Sequence, residues 1–150
     1  MAAGDTAISI CSDALMLLGA QTISSFNDGT DRANFCDRIY PDTRDTTLMM
    51  FPWSFAYKRA QLSKLLTTPN SEYANQFQMP GDRLGNPRQV FLNNSTNPRS
   101  FKEFEIQGDL LLTNENTIFI EYPYSVPEFA MPQYFVKLLK YMMAWHLAYP

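Results

Sequence analysis

The side chains able to do chemistry are few, and their spacing gives them little means to cooperate. Asp42 and Asp45 fall about one helical turn apart, and Glu103 and Glu105 fall on one face of a strand, so either pair offers two neighbouring carboxylates. Such pairs can divide acid and base work or cleave a glycosidic bond, a task for which Glu72 is a further candidate. Both pairs read better as the solvated face of an element, and we adopt that reading. His146 lies in an apolar segment without a serine or cysteine close in sequence to form a nucleophile–base pair. Cys11 and Cys36 fall on apolar stripes, where a free cysteine packs as a small hydrophobe. With no C-x-x-C spacing and 1 histidine, the 2 cysteines build neither a disulfide framework nor a zinc site. Gly81-Asp82-Arg83-Leu84-Gly85 follows a proline loop, and no dinucleotide or P-loop fingerprint occurs. Lys58 and Arg59, with Tyr57 beside them and Lys64 beyond, could touch a phosphate backbone but read as the wet side of a helix. The residues therefore predict no enzyme, no cofactor and no metal.

The elements that would have to position these groups are built from a chain of 150 residues, enough for one domain or one domain with an insertion. Apolar residues make 45%, aromatics 14% and charged residues only 18%, with 8 Met, which matches the enriched types of interface cores. More apolar surface is expected than one small core hides. A net charge of −3 argues against a protein whose main task is neutralising phosphates. The Met1-Ala2-Ala3-Gly4-Asp5 start lacks signal-peptide features, and the most apolar stretch, 129–149, carries Lys137, Lys140 and His146. These features predict a chain of reducing cytoplasmic origin that neither enters nor crosses a membrane.

Helical spacing from an Asp5 or Thr6 cap to Gly19 predicts a first helix over 6–18. A second runs over 31–50, with a kink or break expected near Ile39-Tyr40 because Pro41 interrupts it. Phe51-Pro52-Trp53 ends it, and Phe55, Ala56, Leu62, Leu65 and Leu66 predict a third helix over 54–66. The stretch 67–88 holds three prolines and two glycines and reads as a long, mobile connection with at most a strand near 73–78. Short strands at 89–92, 102–107, 110–113 and 117–122 predict a small antiparallel meander. A closing helix over 132–149, with Pro132 as its first residue, is apolar nearly all round and is expected to be buried on several sides. The fold class expected is mostly α: a helix bundle from 1–66 and 130–150, with 67–129 inserted as a loop and small antiparallel β element (α+β). The abrupt end at Pro150 leads us to expect further chain beyond it.

One ordered set of short motifs stands out. It runs from Ala14-Leu15-x-x-Leu18-Gly19 through Ile23-Ser24-Ser25-Phe26-x-Asp28 to Tyr40-Pro41-x-x-Arg44-Asp45-x-x-Leu48. It continues with Pro52-Trp53-x-Phe55-Ala56-x-Lys58-Arg59-Ala60-x-Leu62, then Pro69, Glu72-Tyr73, Phe77, Pro80 and Asp82. Phe104-Glu105-Ile106-x-Gly108 and the closing Ala144, Leu147-Ala148-Tyr149-Pro150 complete it. In order and spacing the set resembles the head-to-tail adaptor (connector) proteins of tailed bacteriophages, the family of tail tubular protein A, over nearly the whole chain. The stretch Asn93-Asn94-Ser95-Thr96-Asn97 departs from it. The resemblance implies a structural virion protein of the neck. It would be a ring of twelve copies between the portal protein and a tail nozzle of the tail tubular protein B type, extending a channel through which DNA passes without specific binding. Within it, Trp53, Phe55 and Tyr40 are expected as structural anchors, and Leu139, Trp145 and Tyr149 as assembly contacts. The rival readings are a tail accessory protein that cleaves cell-wall glycan, and a small DNA-packaging or DNA-binding module using Lys58, Arg59 and Lys64.

Overall fold

A computed structural model describes residues 5–96 and 98–148. Its elements in chain order are α1 (Ala7–Leu17), α2 (Asp31–Met49), β1 (Tyr57–Gln61), β2 (Ser63–Lys64), β3 (Asn75–Gln78), β4 (Gln89–Phe91), β5 (Glu105–Gln107), β6 (Leu110–Thr113), β7 (Phe119–Pro123) and α3 (Gln133–Leu147). With 36% helix and 20% strand in two antiparallel sheets, the fold is α+β, which corrects the mostly α expectation. The chain divides into two compact units, one formed by Met1–Phe55 with Val126–Pro150 and the other by Ala56–Ser125.

The main reason for the correction is the stretch expected as a third helix. After Pro52 the chain makes only a single 3-10 turn, Ser54–Ala56, and then extends as β1 and β2. β1 pairs with β7 from Tyr57↔Pro123 to Gln61↔Phe119, so its partner lies some sixty residues away, where no local pattern announces it. Leu62 enters the core while Leu66, counted in the helical stripe, is fully exposed.

In the helical unit, Thr6 caps α1 by accepting from Ser9 N–H while Ser9 Oγ accepts from Thr6 N–H. The C-terminus closes as a Schellman motif: Gly19 at φ 74° donates to Met16 O, and Ala20 N–H donates to Leu15 O. Thr30 caps α2 and is itself held by Asp28. α2 is continuous through Pro41, with no break at Ile39-Tyr40, because Pro41 lies on the exposed side where water can take the carbonyl it leaves unpaired. Pro132 is the N-cap of α3 rather than its first residue, and its carbonyl accepts from Phe135 and Val136 N–H. α3 packs chiefly on α1 and also on α2, burying Phe135, Val136, Leu139, Met143 and Ala144.

In the other unit one sheet runs β1-β7-β4 and the second β2-β3-β6-β5. Only β2–β3 and β5–β6 join consecutive strands; the remaining pairings are long-range, so this is not a meander. Gly108 at φ 60° makes the β5–β6 turn. Within the stretch expected as a long connection, the strand allowed near 73–78 forms as β3, with Phe77 and Met79 packed among Leu62, Val90, Leu111, Ile118, Ile120 and Tyr122.

Candidate functional site

Two of the aromatic residues singled out from the sequence, Trp53 and Phe55, gather where α2 ends and α3 starts. Trp53 is held by its indole N–H, which donates to Thr47 O at 3.0 Å, and its ring meets Phe135 edge-on at 5.3 Å. Phe55 lies 5.0 Å from the same Phe135 ring, and both Trp53 and Phe55 approach Tyr134, at 6.3 and 6.2 Å. Edge-on aromatic contacts add about 1 kcal/mol each to the burial they accompany. These ring contacts reach α3. Tyr40 is buried, and its hydroxyl donates to Glu128 Oε1 at 2.9 Å beside Arg44, 3.5 Å from the same oxygen. Burial first, then the Glu128 charge, pushes the phenol far up, so it stays protonated and ties the 3-10 turn Glu128–Ala130 to α2.

The expected assembly contacts separate. Leu139 is fully buried, so it completes the core and cannot meet another subunit directly, because it lies on the α3 face turned to α1 and α2. Trp145 is 70% exposed, and Tyr149 lies outside the described residues. Of the several sides of α3 expected to be buried, one is open in the single chain, where Tyr134, Tyr141 and Trp145 stand exposed. Met16, Leu17, Phe35, Met49, Met50 and Phe51 are also exposed on the helical unit, a set the sequence reading did not single out.

The chemistry candidates do not assemble. Asp42 is exposed while Asp45 accepts from Arg44 Nε at 3.0 Å. Glu103 and Glu105 are exposed, and Glu103 precedes β5 rather than sharing the strand with Glu105. His146 is half-buried with its ring edge-on to Trp145 at 4.8 Å. Cys11 and Cys36 are both buried, and the neighbouring Cys36 side chain, with burial behind it, pushes the Cys11 thiol up. Lys58, Arg59 and Lys64 stand on strands, not on a helix face, and acids in the same unit answer the first two. Lys58 Nζ is 2.8 Å from Asp82, which also accepts from the Tyr122 hydroxyl at 2.9 Å. Glu121 lies between Arg88, at 2.9 Å, and Arg59, at 4.0 Å, while Arg88 stacks 3.9 Å over the Tyr57 ring. These partners are some 25 to 60 residues apart in sequence, so no local signal pointed to them. Among the described residues no group of three or more His, Cys, Asp and Glu is placed to hold a metal, and no helix is long and apolar enough to cross a membrane.

What the surface offers is therefore apolar contact. Two grooves follow it on the helical unit, one of about 370 Å³ lined by Met50, Phe51, Trp53, Leu138 and Met142, the other of about 680 Å³ lined by residues that include Leu15, Leu18, Phe35 and Leu147. No family model and no curated protein matches the chain.

Proposed function

We propose that this chain is a structural subunit of a tailed-phage neck, a head-to-tail adaptor that assembles as a ring of twelve between the portal protein and a tail nozzle. It works by binding rather than turnover. The observation that carries this reading is the exposed aromatic and methionine surface of the helical unit, where Met50, Phe51, Tyr134 and Trp145 are each about three-fifths exposed or more. Large contiguous apolar surface on a small chain marks a place where another protein sits. The ordered motifs from Ala14 to Pro150 supply the identity of the partners by resemblance. A net charge of −3 per copy gives roughly −36 for twelve, a field that would keep a DNA backbone sliding rather than sticking if the acids line the channel.

The test is electron microscopy of the chain mixed with portal protein, alongside peptidoglycan hydrolysis and duplex-binding assays. A twelvefold ring seated on the portal is expected. Glycan cleavage lost on changing Glu72, Glu103 or Glu105, or duplex binding that falls steeply with salt, would overturn the reading in favour of its rivals.

A further inference from the structure

At 100° per residue, Tyr134, Leu138, Tyr141, Met142 and Trp145 fall within an arc of roughly 100° on α3, opposite the buried Val136, Leu139 and Met143. Tyr134, Tyr141 and Trp145 are 59%, 52% and 70% exposed, and Met50 and Phe51 at the end of α2, also exposed, extend the apolar surface across the groove they line with Leu138 and Met142. Large side chains bury about 150–250 Å² each, so five of them at this exposure offer roughly 500 Å². That is well over half of the about 800 Å² one partner gives to a stable pair.

The same unit carries a receptacle that shares no lining residue with this ridge. It is the groove of about 680 Å³ where Leu15, Leu18, Phe35 and Leu147 meet Asp31 and Arg32. Arg32 lines this groove, and its Nε is buried without an acceptor. The rims are complementary in charge, with Lys137 exposed along the ridge and Asp31 exposed along the groove. An arriving indole would fill the space between Leu18 and Phe35.

We propose that the α3 ridge, led by Trp145, seats in the Leu15–Leu18–Phe35 groove of a second copy of this chain. Choosing a second copy over a foreign protein rests on the ring reading above. Because ridge and groove are different patches, the contact is head-to-tail: every added copy leaves one ridge and one groove open until a ring closes.

Sedimentation velocity of the full chain over a wide concentration range tests this, with melting curves as the check on folding. Trp145→Glu is expected to weaken self-association about thirtyfold or more while leaving the melting temperature unchanged, as an interface anchor does. Phe35→Glu should do the same from the groove side, with Leu18→Gln in its place if that variant melts early. Mixed one to one, the Trp145→Glu and Phe35→Glu chains should form pairs and stop there, since each supplies the half the other lacks. A wild-type chain that stays monomeric at every concentration, a Trp145→Glu chain that associates like wild type, or variants that ignore each other when mixed would overturn the proposal. A twelvefold ring on the portal that survives Trp145→Glu would overturn this interface alone, whereas obedient pairing without portal binding would overturn the adaptor reading alone.

Discussion

Trp53 shows how one side chain can belong to both core and surface. Its indole bridges Thr47 and Phe135 while another edge lines the Met50–Met142 groove. Trp53→Ala should cost about 3 kcal/mol, read as a fall in melting temperature, because it removes the ring contacts and leaves a cavity. An unchanged melting temperature would place the ring in the interface instead. Asp82 makes a pH-dependent contribution to the other unit. Burial opposes its charge, but hydrogen bonds from Lys58 and Tyr122 outweigh that and hold the carboxyl below its usual value. Its contribution is thus complete above about pH 4, the range of an unfolded aspartate, and is lost as pH falls through the lower folded value. Both charged side chains are more than two-fifths exposed, so solvent screening limits the contribution to under about 1 kcal/mol. Asp82→Asn should lower the melting temperature by a few degrees at neutral pH and by nothing near pH 2. An equal fall at both pH values would contradict the assignment.

At the scale of elements, α3 is the decisive case. Leu139→Ser should destabilise by about 3 kcal/mol or more, since it puts a hydroxyl into a fully buried site, while Trp145→Ser should leave thermal stability within about half a kcal/mol. Parallel melting curves of the two variants check this contrast. The helices were legible because their signals are local: Thr6 and Thr30 cap, Gly19 stops, and apolar spacing fills the interval. β1 was not, because Phe55, Ala56, Leu62 and Leu65 satisfy a helical stripe and only pairing with β7 decides the matter. β3 was legible only as a strand allowed near 73–78, because Pro69-Asn70-Ser71 before it and Pro80-Gly81-Asp82 after it read as loop and masked how deeply Phe77 and Met79 are buried. Limited proteolysis should accordingly cut 67–73 and 81–87 and spare Asn75–Gln78, which lies between β2 and β6. Cleavage within β3 at the same rate would contradict its central place. The assembly surface was half legible: apolar excess on the closing helix was evident, but which side faced outward depended on where α1 and α2 pack.

The whole molecule combines an apolar helical surface, an acidic net charge and a second unit in which Lys58, Arg59, Arg83 and Arg88 are answered by that unit's own acids. As the adaptor proposed above, such a chain would act by number and position, through repeated contacts. The native mass of the chain incubated with portal protein tests this most directly. The account predicts a portal ring carrying twelve added copies of the chain; a portal mass unchanged in the presence of excess chain would contradict it.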